Sequence, residues 1–472
     1  MKRLVLIVSV ITLSAFSLKA QYIEDALRFA IPNGMITPRV ANMGVSYYGL
    51  VDDIGALMYN PAGIGIIRKS ELSIGMGFTR NSSETEYLDI KNLLNTNDEY
   101  ITHAGIVVPF DMEDSKASIG IGYFLESNFE NNMDYGAFNP NNSYIKDYVA
   151  NKPSNKEDNL MYQLYLTDPE GGYSPIQDSL AQKGTVTETG GIHNFTGAIS
   201  FDLSDNVSLG GSIIGKWGTY NYNRVYSEED IYNKYNFNDD VNWTNIDLNK
   251  MTIDETIKQE ISGITGSIGI VGRIEKFMRI SANIKFPTYY EITEKFSQNG
   301  KAEFDNQDIR QYGYEGETSY KVKTPFVYGG GVSLHAAGLT FSAGVEYTDA
   351  SQIEFSDATL EVESLNKNII RDLVGQTTWG FGLEYKLPWI PAEVRTSYSS
   401  TTSPYSQDIS NASINYFSIG GGVYLSTNVR LDGVFRWMDH SEVRSNYPSG
   451  LINNYVLSNK PLNIGFQITY RY

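Results

Sequence analysis

Four histidines, His103, His193, His335 and His440, are scattered along 472 residues, and the chain has no cysteine. Zinc and haem sites need imidazole or thiolate ligands at close spacing, such as H-E-x-x-H, and no such spacing occurs. No metal and no cofactor is therefore expected. Lack of cysteine also removes any disulfide framework or lipidated N-terminal cysteine. The glycine runs 329–331 and 420–422 lie inside strand-like stretches with no helix behind them, so they are not phosphate loops. A hydrolase would need a nucleophile held against a histidine. Only His440 falls near a candidate rim, and no nucleophile can be assigned to it. No enzyme is expected, and a hydrolase centred on His440 ranks last among the readings.

The other residues with chemical reach are charges on alternating stretches. Lys216, Arg273, Lys285, Lys321, Lys323, Arg395 and Arg436 take the parity opposite to the apolar side chains, as do Glu346, Glu384, Lys386 and Asp432. A carboxylate entering an apolar enclosure needs a cation, because an unpaired buried charge is costly. Lys216, Lys285, Lys323 and Arg436 lie far enough from the short turns to meet such a ligand. Pairing with neighbouring carboxylates or carbonyls is the competing use for each of them.

The elements that would position these charges are strands. Leu72, Ile74, Met76 and Phe78 alternate with small or polar residues, and so do Leu339, Phe341, Ala343, Val345 and Tyr347. Fourteen such stretches can be counted, each with one apolar face, as a lipid-facing wall requires. Six short turns alternate with seven long polar connections, the rhythm of an up-and-down barrel. The expected fold is all-β: a 14-stranded antiparallel transmembrane β-barrel with both termini periplasmic. After the first residues no run of 18 apolar residues appears, and only helices and closed barrels satisfy the backbone in lipid. The 34 tyrosines and 43 glycines suit tightly paired strands at a membrane interface. The last residues, Ile464, Phe466, Ile468, Tyr470 and Tyr472, alternate up to a terminal aromatic, resembling the signature of barrels handed to the outer-membrane assembly machinery.

Residues 1–20 read as a secretory signal: Lys2 and Arg3, an apolar stretch 4–18, then Ala20. The formal net charge of −18 argues against nucleic acid as a partner. Residues 21–70 do not alternate and carry only Asp52 and Asp53 between Val40 and Ile67, which favours burial. Either aspartate is expected to cap a short helix running to Met58, with Asn60-Pro61 ending it.

Arg39, Met43 and Gly44 in R-x-x-x-M-G, then Asp52, Asp53, Asn60, Pro61, Ala62 and Gly63 in D-D-x-x-A-L-x-x-N-P-A-G, resemble the N-terminal hatch of the FadL/TodX family. K-F-P-T at 285–288 resembles a mid-barrel motif of the same family, which also has 14 strands. The resemblance implies outer-membrane uptake of long-chain fatty acids or other hydrophobic compounds, with a hatch (21–70) folded inside the barrel (71–472). It also implies sideways release near a kinked third strand, here around Gly120 and Gly122. The long connections 127–191, 223–257, 290–318, 348–375 and 438–461 are expected outside the cell. Phe129, Tyr135, Phe138 and Tyr144 are candidates for a hydrophobic landing groove. Expected partners are a fatty-acid-like ligand, outer-membrane lipid or lipopolysaccharide, and the assembly machinery, with the chain a monomer. The rival reading is a non-transporting surface barrel, an adhesin or structural protein.

Overall fold

The computed structural model describes residues 23–113, 115–152, 156–168, 170–237, 246–358, 360–407, 413–447 and 454–472. The secretory-signal reading of 1–20 lies outside them. Helix α1 (Ile23–Ala30) opens the described chain, followed by α2 (Pro38–Met43), a 3-10 turn (Gly44–Gly49), α3 (Ala56–Tyr59) and a second 3-10 turn (Pro61–Ile66). Then come β1 (Glu71–Tyr87), β2 (Ile90–Asp111), β3 (Lys116–Asn128) and β4 (Asn131–Asn139). Helices α4 (Tyr144–Ala150) and α5 (Leu160–Gln163) precede β5 (Leu180–Ser204), β6 (Val207–Glu229), the short β7 (Asn236–Phe237) and β8 (Ile246–Ile274). Next are β9 (Met278–Lys285), β10 (Tyr289–Phe304), β11 (Ile309–Lys323), β12 (Val327–Ala336), β13 (Leu339–Asp349) and β14 (Glu354–Ser356). Helix α6 (Leu360–Asp372) leads to β15 (Gly375–Lys386), β16 (Ala392–Thr401), β17 (Ile414–Tyr424), β18 (Val429–Arg444), β19 (Tyr455–Asn459) and β20 (Leu462–Arg471).

Every wall pairing is antiparallel, and the sheet closes where β1 meets β20 from Glu71↔Arg471 to Arg80↔Leu462. Five staves of the wall come in two pieces: β3 with β4, β9 with β10, β11 with β12, β13 with β14, and β19 with β20. The cylinder thus has the 14 strands expected. Its polarity is inverted relative to a soluble core. Leu72, Ile74 and Met76 are about half exposed, while Glu71 and Ser73 between them are buried. Apolar side chains on the outer face cost nothing in hydrocarbon, whereas the backbone polar groups must be paired by closure. Trp217, Trp379 and Trp437 face outward, the belt position that suits an amphipathic ring.

The long connections are only partly loops. β1 and β2 run on to a two-residue turn at Leu88 and Asp89, both at positive φ. β5, β6, β8, β10 and β11 likewise continue far past the belt as a one-sided extension of the wall. The stretch 348–375 holds β14 and α6, and 127–191 holds β4, α4 and α5. No helix among the described residues is long and apolar enough to cross a membrane. The crossing is made by strands.

Candidate functional site

The N-terminal segment expected to form the hatch lies against inward-facing wall residues. Ser200 of β5 donates to the Ala62 carbonyl at 3.1 Å, Ser333 of β12 to Gly49 at 2.7 Å and Ser418 of β17 to Asn42 at 2.6 Å. Small side chains are required there because the two backbones nearly touch. A Cβ on Gly331 or Gly344 would collide with the hatch backbone at Gly49 or Val45. The glycine run 329–331 is therefore the hatch's footprint on the wall. Val40, Met43, Leu57 and Ile64 pack with Val107, Phe124, Ile214 and Val271 of the wall in one buried cluster.

The family-type motif positions itself locally. Thr37 accepts from Val40 N at 3.0 Å and Pro38 starts α2, which Gly44 ends at φ 55, a conformation suited to glycine. Asn60 closes α3 and, with its side chain accepting from Ala62 N at 3.1 Å, opens the next turn. The aspartates do not cap a helix as expected. α3 begins only at Ala56, because Asp53 turns back to accept from Gly55 N at 3.0 Å and from Tyr47 Oη. Asp52 instead pairs with Arg39, Nε to Oδ1 at 2.9 Å. Arg39 reaches Glu384 of β15 at 2.6 Å, and Arg395 bridges Glu384 and Asp432 at 2.8 Å each. Glu393 takes Arg395 and Arg430, and Arg279 lies 3.6 Å from Asp52. Four guanidinium groups and four carboxylates thus lock the hatch to the short-turn end of the barrel. Met43 is fully buried beside them.

Above the hatch is a cavity of about 880 Å³. Its lining is tyrosine-rich and includes Tyr100, Tyr148, Tyr220, Tyr314, Tyr416 and Tyr455, with Leu27 and Ile31 of the hatch segment at one side. The four candidate cations separate here. Lys216 and Lys285 converge on one carboxylate, Glu126 of β3, at 2.8 and 2.9 Å, and Lys216 donates to Tyr290 Oη at 3.1 Å. Arg436 lies over the Tyr416 ring, 5.2 Å to its centroid, and has no carboxylate partner among the described residues. Its Nε is buried without a hydrogen-bond acceptor.

Lys323 does not face the lumen. It is on the outer side with Lys321, 3.7 Å from Glu354, while Val322 between them is buried. After Pro325 apolar residues face outward at even numbers (Tyr328, Leu334), whereas before it the outward positions are odd (Lys321, Lys323). The strand break at the proline shifts the alternation by one residue, so a parity read straight through it fails. Lys386 is exposed at the short-turn end for want of any further lumen to enter. Gly120 and Gly122 are not at an opening: β3 pairs continuously with β2 from Lys116 to Phe124, and Leu57 of the hatch fills the space beside both glycines.

Among the landing-groove candidates, Phe129 and Tyr144 line the cavity, Tyr135 is buried against Tyr455 at 4.3 Å between ring centroids, and Phe138 is a surface residue against Tyr232. His440 lines the cavity 3.8 Å from Glu442. Sequence reasoning missed Glu126, although its even number on β3 put it inward, and missed Glu188 with its partner Arg444 at 2.9 Å.

The cavity's outer end is closed by α4, α5 and the strand extensions, knitted by a polar network that includes Arg224, paired with Glu255 at 3.0 Å, and Arg444, paired with Glu188 at 2.9 Å. Tyr135 Oη donates to Asn446 at 2.7 Å, and Gln182 donates to Glu228 and to Tyr447, each at 2.7 Å. Tyr144 N donates to Glu228 at 2.6 Å, fixing the start of α4. Burial pushes the Glu228 carboxyl up to about 7 despite these donors.

The molecule is by its architecture an outer-membrane-type β-barrel whose helical N-terminal segment packs against inward-facing residues of the wall. It has the fold of the FadL-type channels. The solved structures that resemble it include a FadL homologue of Pseudomonas aeruginosa (TM-score 0.57, 11% identity, covering 93% of this chain and 99% of that one). The toluene transporter TodX of Pseudomonas putida gives a TM-score of 0.54 at 10% identity, covering 93% and 98%. The toluene transporter TbuX of Ralstonia pickettii gives 0.52 at 13%, also covering 93% and 98%. No protein-family model and no curated protein matches the sequence.

Proposed function

We propose that the chain takes up hydrophobic small molecules, long-chain fatty acids among them, across the outer membrane. The observation that carries this is the cavity of about 880 Å³ closed below by the hatch, within the range that encloses ligands of drug size. Tyrosine walls offer apolar faces with polar tips, so an alkyl or aromatic ligand is held without losing the hydrogen bonds around it. Arg436, over the ring of the cavity-lining Tyr416 and without a carboxylate partner among the described residues, is the cation proposed to meet a ligand carboxylate. Lys216 and Lys285 are committed to Glu126 and act on ligand only after that cluster rearranges. Transport is driven by partition and diffusion. The ionic lock argues against release straight through the hatch, since pulling it out strands several buried charges at once.

In this reading residues 1–20 direct export, 21–70 form the hatch and 71–472 the barrel. Both ends face the periplasm, lipopolysaccharide surrounds the belt, and the monomer is inserted by the barrel assembly machinery. The test is binding of a radiolabelled C16 fatty acid and of toluene to the purified protein, followed by uptake into outer-membrane vesicles. Saturable binding abolished by filling the cavity, for instance with Thr96→Trp, is the expected result. Absence of binding to either probe would sink the reading.

A further inference from the structure

The cavity above the hatch has two unlike sides. On one, β18, β19, β1 and β2 stand next to one another in the wall. Asn81 of β1 is opposite Thr96 of β2, Asn459 of β19 is opposite His440 of β18, and all four line the cavity. Asn81 Oδ1, Thr96 Oγ1, Asn459 Oδ1 and His440 Nδ1 are each buried with no hydrogen-bond partner among the described residues. A buried polar atom without a partner calls for an explanation, and here four share one face of one cavity. Asn81, only 7% exposed, has its amide orientation fixed by its neighbours. Asn131 Nδ2 donates at 3.1 Å to the Glu188 carboxylate, which can only accept, so Asn131 Oδ1 accepts from Asn81 Nδ2 at 2.7 Å. Asn81 Oδ1 is the acceptor left over, and an O–H or N–H is what satisfies it.

Two residues nearer the hatch, the same side carries charge. Asp98 of β2, Thr79 of β1, Asn463 of β20 and Arg436 of β18 form one row of opposite residues on successive strands. Asp98 accepts from Asn128 Nδ2 at 2.6 Å and Thr79 Oγ1 donates to Asn463 at 2.7 Å.

The facing side is apolar. Leu27 and Ile31, one helical turn apart, line the cavity, with Ile31 N still donating to the Leu27 carbonyl at 2.9 Å. Phe29 between them turns to the wall, its ring 5.5 Å from that of Tyr290. Phe129, Tyr220 and Ile257 continue this side. Helix α1 packs in one buried cluster with Ile261 of β8, Tyr290 of β10, Val322 of β11 and Phe355 of β14, strands on the opposite side of the cylinder from β1 and β19.

A plain alkyl chain uses such a cavity only in part, since lying along the polar side it leaves buried acceptors unpaired. We propose that the cavity takes a facially amphipathic ligand: a rigid hydrocarbon body with hydroxyl groups along one face and a carboxylate at one end. The hydroxyls meet Asn81, Thr96, Asp98, Asn459 and His440, the apolar face meets Leu27, Ile31 and Tyr220, and the carboxylate meets Arg436. Positions two apart on a strand are separated by about 6.8 Å and neighbouring strands by about 4.8 Å, so the polar atoms form a grid that a rigid body addresses together. A flexible polyol would lose more conformational freedom in doing so. The proposal rests on the uptake reading for its route and names the class of cargo within it.

Cholate, deoxycholate and lithocholate share one ring system and one carboxylate and lose a hydroxyl at each step. Their binding to the purified protein in dodecyl maltoside, each well below its micellar concentration, is expected to weaken about tenfold with each hydroxyl lost. That order is the reverse of their partition into hydrocarbon. Affinity that follows partition, with lithocholate tightest, overturns the proposal. Thr96→Val removes a hydroxyl with no hydrogen-bond partner among the described residues, so the fold loses no bond with it. Thr96→Val, and Asn81→Leu where it folds, are each expected to cut the preference for cholate over lithocholate about tenfold. An undiminished preference in Thr96→Val, with the unfolding temperature of the parent, overturns the proposal. Saturable binding of palmitate or toluene with no hydroxyl order among the three steroids removes the proposal and leaves the uptake reading standing. Hydroxyl-ordered binding with no uptake of cholate into outer-membrane vesicles refutes the uptake reading and supports the proposal.

Discussion

The two ends of the lumen are held shut by different proportions of charge and hydrogen bonding. At the short-turn end, Arg39, Arg279, Arg395 and Arg430 interleave with Asp52, Glu384, Glu393 and Asp432, nearly all out of water. At the outer end tyrosines, asparagines and glutamines surround the buried carboxyl of Glu228, with the ion pairs Arg224–Glu255 and Arg444–Glu188 among them. A buried ionic cluster is close to neutral in net stability yet very costly to open by halves, because each missing partner strands a charge. A neutral hydrogen bond of the cap contributes only about 0.5–1.5 kcal/mol and can exchange partners with water or ligand. The floor, with eight clustered charges against the two ion pairs of the cap, is therefore the costlier end to open by halves.

The contrast breaks most visibly at the floor. Arg395→Ala leaves Glu384, Glu393 and Asp432 facing one another and is expected to cost about 3–5 kcal/mol, read as a lower unfolding temperature in detergent. If the variant unfolds like the parent, the ionic floor is not what holds the hatch. At the cap, Glu228 provides a pH dependence. Its carboxyl titrates near 7 in the folded protein, above its ordinary value, so the folded cap holds the proton more tightly than the opened chain. The stability it adds is complete in acid below the ordinary carboxyl range and is lost as pH rises through about 7. The swing is roughly 3 kcal/mol at most. Hydrogen exchange of α4, corrected for intrinsic rate, should quicken across that window, and Glu228→Gln should flatten the response. An unchanged slope in Glu228→Gln would assign the effect elsewhere.

Gly344→Val forces a side chain into the Val45 backbone and is expected to cost about 1–3 kcal/mol by overpacking, loosening the hatch against protease. The smallest effect sharpens the cavity itself. Arg436→Gln should weaken a fatty-acid carboxylate about tenfold while leaving toluene affinity unchanged, measured by competition binding. Equal loss for both ligands would make Arg436 a packing residue.

The sequence made the wall legible because period two over many stretches can satisfy only a two-faced sheet, and the long–short rhythm of connections permits only an up-and-down closure. Burial of the segment between Val40 and Ile67 was legible from its lack of charge. Lys216, Lys285 and Arg436 were placed inward correctly for the same periodic reason. Lys323 was not, because alternation counted through Pro325 ignores the residue step that a broken ladder inserts. Gly120 and Gly122 were read as a bend, since nothing local distinguishes a glycine that opens a wall from one that makes room for Leu57.

What the chain alone determined was the order of faces: which residues meet lipid, which meet the lumen, and which segment avoids both water and strand geometry. Those follow from local periodicity, a property of consecutive residues. Which charges neutralise one another, and which wall strands break at one height, depend on residues hundreds of positions apart. Only closure of the cylinder brings Arg39 to Glu384, or Pro287 beside Pro325 at one height.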